Sequence, residues 1–167
     1  MNNINDIENH LEHFRKRAHR KSRAHYLASK SLSRRHIWFG MPIIFLTTIV
    51  GSSAVSDLSQ IDSVFSYRIL GYLSLLAAVL SAFQTFFSFS SLSAKHRATA
   101  GQYNSLYRKM TLIRTKYLSG EYDRKVILRE IEVIQKHWES IELKAIDVPD
   151  RFYDRAKSEQ LSDEEGV

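Results

Sequence analysis

Residues Ile69–Ala94 read ILGYLSLLAAVLSAFQTFFSFSSLSA, and residues Ile37–Ser56 read IWFGMPIIFLTTIVGSSAVS. Neither run contains Asp, Glu, Lys or Arg. A helix needs about 20 mainly apolar residues to cross the hydrocarbon core of a bilayer, and a charge at its centre is costly. Both runs meet these conditions. The segment between them, Asp57 to Arg68, is short and polar. The pattern therefore predicts a helical hairpin that crosses a membrane twice. The competing reading is a pair of buried helices in a soluble bundle, but such helices usually carry a charged outer face and these carry none.

The chain has 167 residues, enough for one domain. Glycine and proline are scarce, at 6 and 2. Few breakers and long periodic segments point to an all-α protein. There is no cysteine, which excludes disulfides and cysteine–metal sites. Met1 to Glu12 is polar and acidic, and the first apolar run starts too late and runs too long for a signal peptide.

Upstream of the first crossing, Ile4, Ile7, Leu11, Phe14 and Ala18 alternate three and four residues apart, and the series continues through Lys21, His25, Ala28 and Leu32. This predicts an amphipathic helix over 4–35 with a narrow seam that packs on another helix. Lys21 and His25 weaken the middle of that seam. A basic segment, FRKRAHRKSR at 14–23, lies around it.

Nine basic residues fall between Arg15 and Arg35, and Lys95, Arg97, Arg108 and Lys109 follow the second crossing. The connector sets Asp57 and Asp62 against only Arg68. Lysine and arginine bias places both termini in the cytoplasm. The basic segment then has two readings: orientation and contact with anionic lipid, or binding of a specific anionic ligand. Arg15, Lys16, Arg17, Arg20, Arg23, Arg97 and Arg108 are the candidate contacts. Trp38 and Tyr67 lie at the expected interfaces, where amphipathic rings are favoured.

In the first crossing Pro42 is expected in the opening turns, and Gly40, Thr47 and Gly51 share a face. In the second, Ser74, Ser81, Thr85 and Ser88 share a face with Gln84 beside it. Small and hydroxylated residues allow close helix packing in lipid, and they would equally line a pore. Asp57 and Asp62 would ring its outer mouth. Gln84 needs a partner or water, and a bond between subunits would supply one.

The second crossing, 69–94, is expected to continue as one helix through 95–118. Leu92, His96, Thr99, Tyr103, Leu106, Met110, Ile113 and Tyr117 keep the three–four spacing. At about 1.5 Å per residue the rod would be roughly 75 Å long. Gly101 stands alone in it as a sign of close packing, and Ser119-Gly120 is the expected stop. Ile127, Ile131, Ile134, Trp138, Ile141 and Ala145 predict a return helix over 121–146, antiparallel because the connection is short. Val148-Pro149 breaks the pattern before a closing helix at 150–157. Residues 158–167 are acidic and expected to be disordered. The predicted fold is all-α: a two-helix transmembrane hairpin continuing into a cytosolic antiparallel helical bundle.

No catalytic constellation is present: no P-loop, nucleophile elbow, HExxH or dinucleotide fingerprint. His10 and His13 are too few to hold a metal. No enzyme activity, cofactor, metal site or nucleic-acid duplex is expected. What remains is a chain that acts by assembly or by anchoring a partner.

The order of parts resembles the SLATT family, the SMODS- and SLOG-associating two-transmembrane effector domain. The resemblance rests on Lys95-His96-Arg97-Ala98, then Ala100, Tyr103, Leu106 and Arg108, and on Val148-Pro149 with Tyr153 and Ala156 as a closing element. It covers roughly residues 8–158. It implies an effector of bacterial anti-phage defence in the inner membrane. Such an effector forms homo-oligomers and a pore, or disrupts the bilayer, downstream of a cyclic oligonucleotide or a nucleotide-sensing partner protein. A non-enzymatic membrane anchor or scaffold is the alternative.

Overall fold

A computed structural model describes the backbone of residues 2–55 and 64–165 and the side chains of residues 7–52 and 68–162. Among these residues every element is helical: α1 (Asn2–Val55), α2 (Val64–Phe87), α3 (Phe89–Leu118), α4 (Arg124–Glu142) and α5 (Asp150–Glu165). The chain divides into two units. Met1–Lys30 with Ser93–Val167 form a bundle unit, and Ser31–Leu92 form an apolar unit.

Several expectations change. The amphipathic helix and the first apolar run are one element, because composition switches at Arg35 while no helix breaker stands there. Pro42 is therefore interior to α1 rather than in an opening turn, and its missing N–H leaves the Trp38 carbonyl without its usual partner. The predicted continuous rod from Ile69 to Leu118 is interrupted at Ser88, whose φ of 42° is left-handed. Finally, α5 continues through Glu165, past the Lys157 end and into the stretch expected to be disordered. Composition argued for disorder there, but Glu159 accepts from Arg23 of α1 at 2.6 Å and from Arg155 one turn earlier at 3.1 Å, and Gln160 is buried.

In the bundle unit α3 runs antiparallel to α1. Glu8 accepts from Arg114 (2.8 Å), Arg15 donates to Tyr107 (3.2 Å), Ser22 donates to the Ala100 carbonyl (2.9 Å), and Ser29 accepts at its carbonyl from Ser93 (2.9 Å). Each step of seven up α1 meets a step of seven down α3. This register follows from seams that both repeat every seven residues. The three–four positions are the buried ones: Leu11, Ala18, His25 and Ala28 on α1, Tyr103, Leu106, Met110 and Ile113 on α3, and Ile127, Ile134, Trp138 and Ile141 on α4. Trp138 sits at the junction, its ring 5.2 Å from Tyr103 and 6.0 Å from Phe14 in edge-to-face contacts.

The turns have local causes. Gly120, at φ 76°, closes α3 by donating to the Tyr117 carbonyl. The Asp123 carboxylate caps α4 by accepting from the Arg124 N–H at 2.7 Å. α4 is shorter at both ends than the expected 121–146. After Pro149, α5 lays Phe152, Tyr153 and Ala156 with Val148 against Ala24 and Leu27 of α1.

Candidate functional site

The apolar unit turns its large side chains outward. Trp38 is 74% exposed and Phe86 82%, and Met41, Ile44, Phe45, Tyr72, Leu75, Leu76 and Phe83 are exposed as well. One helix among the described residues is long and apolar enough to cross a membrane. It lies within Arg68–Leu118, where the most apolar stretch has a mean hydropathy of 1.7 and is only 6% buried. A core helix of a soluble protein would be mostly covered. The end of the first predicted crossing, with Asp57 and Asp62, lies outside the described residues.

The expected serine face divides. Ser74, Thr85 and Ser88 are exposed, whereas Ser81 and Gln84 are half-buried, in line with buried Ala77. Exposed hydroxyls here are satisfied by their own helix: Thr47 donates to the Ile43 carbonyl, Ser74 to Leu70, Thr85 to Ser81 and Ser88 to Thr85, at 2.9–3.1 Å. Gln84 has a partner within the chain, its Nε2 lying 3.2 Å from His36 Nδ1. A Cβ added at Gly40 would stand 3.4 Å from the same amide nitrogen. Spacing does not single out His36, because its partner lies 48 positions away.

Most of the basic segment is spent on the fold. Arg15 pairs with Glu12 at 2.6 Å, and that hydrogen bond holds the Glu12 carboxyl below its ordinary range. Arg17 lies over the Trp138 ring, Arg20 donates to Gln160, and Lys21 pairs with Glu142. Lys16 adds to the positive field around Glu12. These side chains are engaged within the bundle unit, so they do not form one shared patch for an anionic ligand. Arg97 and Arg108 differ: both are exposed and make no hydrogen bond or ion pair among the described residues.

Arg23 and Arg97 meet in one groove of about 360 Å³. α1 contributes His19, Ser22, Arg23 and Tyr26, and α3 contributes Arg97, Ala100, Gly101 and Asn104. Each set has the i, i+3, i+4, i+7 spacing of one helical face, and the Ser22–Ala100 bond sits at the centre. Arg23 is tied to Glu159 through Nε and lies 5.7 Å from the Tyr26 ring centroid. His19 packs on Tyr107 at 5.1 Å. Sequence spacing gives each half of this groove, but the meeting of the halves depends on the antiparallel register.

The bundle unit also holds a buried histidine pair. His25 and His96 Nδ1 atoms are 3.1 Å apart, so one neutral ring donates and the other accepts. Burial, then the charges of His96 and Lys21, push His25 down to about 4, and burial lowers His96. Tyr103 stacks on His25 at 5.7 Å and is pushed up to about 12, chiefly by burial. Lys21, His25, Tyr103, Glu142, Asp147 and Tyr153 line a second cavity of about 320 Å³. Of the residues that carry the family resemblance, His96, Tyr103 and Leu106 are thus core, Tyr153 packs on α1, Pro149 precedes α5, and Arg97 and Ala100 line the groove. His10 and His13 both lie against Phe14.

No family model, curated protein or solved structure matches the chain.

Proposed function

We propose that the chain is a membrane effector of a bacterial anti-phage system, acting by assembly rather than catalysis. In this reading the two apolar stretches form a hairpin with both termini in the cytoplasm. Copies associate and open a pore, or disrupt the inner membrane, downstream of a nucleotide signal or a nucleotide-sensing partner. The observation that carries the reading is the outward surface of the apolar unit. An apolar stretch only 6% buried, beside a row of exposed aromatic and aliphatic side chains, is unfavourable in water and suited to lipid. The effector role itself is supported by the resemblance to the SLATT family.

Ser74 and Thr85 are exposed and eleven residues apart, so they share a face of α2. Several copies of that face around an axis make a narrow, weakly polar lumen. Purified protein in liposomes should release an encapsulated dye, and Ser74→Leu with Thr85→Leu should stop release without preventing insertion. Ser81 is a poor test position, because it is half-buried and its substitution would disturb packing.

One observation favours the anchor reading. The Ser74 and Thr85 hydroxyls already bond their own helix carbonyls, so they need no water-filled lumen. Inserted, assembled wild-type protein that releases no dye would leave the anchor as the function.

A further inference from the structure

Gly101 stands inside the 30-residue helix α3, where glycine is less favourable than alanine. A Cβ built there would meet nothing within 4 Å. The close packing that a lone helical glycine signals is therefore absent among the described residues. The fold has no use for a bare backbone at this point, but an object lying against α3 does.

The groups around Gly101 define that object. Arg97, one turn before it, is exposed and without a hydrogen bond or ion pair among the described residues. Across the groove Arg23 donates Nε to Glu159, and its terminal nitrogens make no hydrogen bond among the described residues. Asn104 is half-buried, and its amide makes no hydrogen bond among the described residues. Tyr26 is 45% exposed. None of the described lining residues is a carboxylate, and Glu159, 2.6 Å from Arg23 Nε, offsets part of that charge. Two guanidinium groups suit a phosphate by forked geometry, an exposed phenol ring suits stacking, and an amide suits the edge of a flat heterocycle. A cavity of about 360 Å³ is within the range that small ligands occupy.

We propose that the α1–α3 groove binds a phosphate ester, its phosphate held between Arg97 and Arg23 and its remainder lying over Ala100 and Gly101 against Tyr26. The stacking surface and the Asn104 amide favour a nucleotide. A phospholipid headgroup offers the same phosphate and is separated by experiment. The site stands apart from the effector reading. If that reading also holds, the groove is where a soluble signal would enter.

The test uses the full chain in phosphatidylcholine nanodiscs, titrated with a fluorescent adenine nucleotide. Arg97→Gln and Gly101→Leu should each weaken binding by about tenfold or more. The leucine fills open space, so the helix should melt no earlier than wild type. Tyr26→Leu should weaken binding and Tyr26→Phe should retain it, while Arg108→Gln should leave it unchanged. Raised salt should weaken binding in proportion to the charges neutralised. If the nucleotide does not bind but phosphatidylglycerol co-purifies with wild type and not with Arg97→Gln or Gly101→Leu, the phosphate is lipidic and the groove stands. Binding of neither probe, or binding unchanged in both variants, overturns the proposal. Dye release is measured separately, so loss of leakage with intact nucleotide binding counts against the pore alone.

Discussion

Acidification should weaken the bundle unit through His25. In the folded chain this imidazole titrates near 4 instead of its ordinary 6.5, because it is buried beside His96 and near Lys21. Between these values the unfolded chain takes up a proton that the folded chain refuses. The stabilisation is complete above pH 6.5, falls as pH drops through the window, and is gone below about 4. At pH 5 the unfolded side chain is almost fully protonated and the folded one mostly neutral, so the loss from His25 is about 2 kcal/mol, rising to about 3 kcal/mol below pH 4. His96 is lowered in the same direction and adds to it. Of the groups around it, the Tyr103 phenol is pushed up by burial and the Glu142 carboxyl is lowered, so neither changes charge between pH 5 and 8. The carboxylates held down by hydrogen bonds from arginine, Glu12 and Glu159, lose their contribution only as pH falls through 4.5 and below. Trp138 reports the event directly, since it packs on Tyr103, and Trp38→Phe makes it the sole tryptophan. Thermal melts in detergent at pH 8, 6 and 5 should show a falling midpoint for wild type. They should show a flattened dependence for His25→Leu with His96→Leu. A wild type as stable at pH 5 as at pH 8 would refute the reasoning, as would the same slope in the double variant.

Trp138→Ala should cost about 3–5 kcal/mol, because the residue is 5% exposed and its ring packs on both α1 and α3; a chemical or thermal melt unchanged from wild type would place the ring on the surface. Gly101→Ala should raise stability by about 1 kcal/mol, since it improves helix propensity and the new methyl meets no neighbour within 4 Å. Equal melting midpoints for the two proteins would contradict this. A reporter that works only outside the cytoplasm, fused after Val167, should stay silent, because Lys and Arg flank the apolar runs on the side of both termini. Activity of that reporter would invert the proposed topology.

Helix-local information is legible in the sequence. Burial on a helix face repeats every three or four residues, so spacing alone assigns Leu11, Ala18, Tyr103, Leu106, Met110, Ile127, Ile134 and Trp138 to the core. Two runs without a charge likewise mark the residues that turn apolar surface outward. Lys21 and His25 stand out as defects in the seam, but spacing cannot show what satisfies them. Glu142 and His96 do so, and they lie 121 and 71 positions away. The union of Arg23 with Arg97, the His36–Gln84 bond and the docking of α5 on α1 have the same character. Composition likewise does not show the ion pair of Glu159 with Arg23, which ties α5 to α1. The spacing within one helix follows from its 3.6-residue turn, whereas which residues of two distant helices meet depends on their register, and only the packed chain sets that.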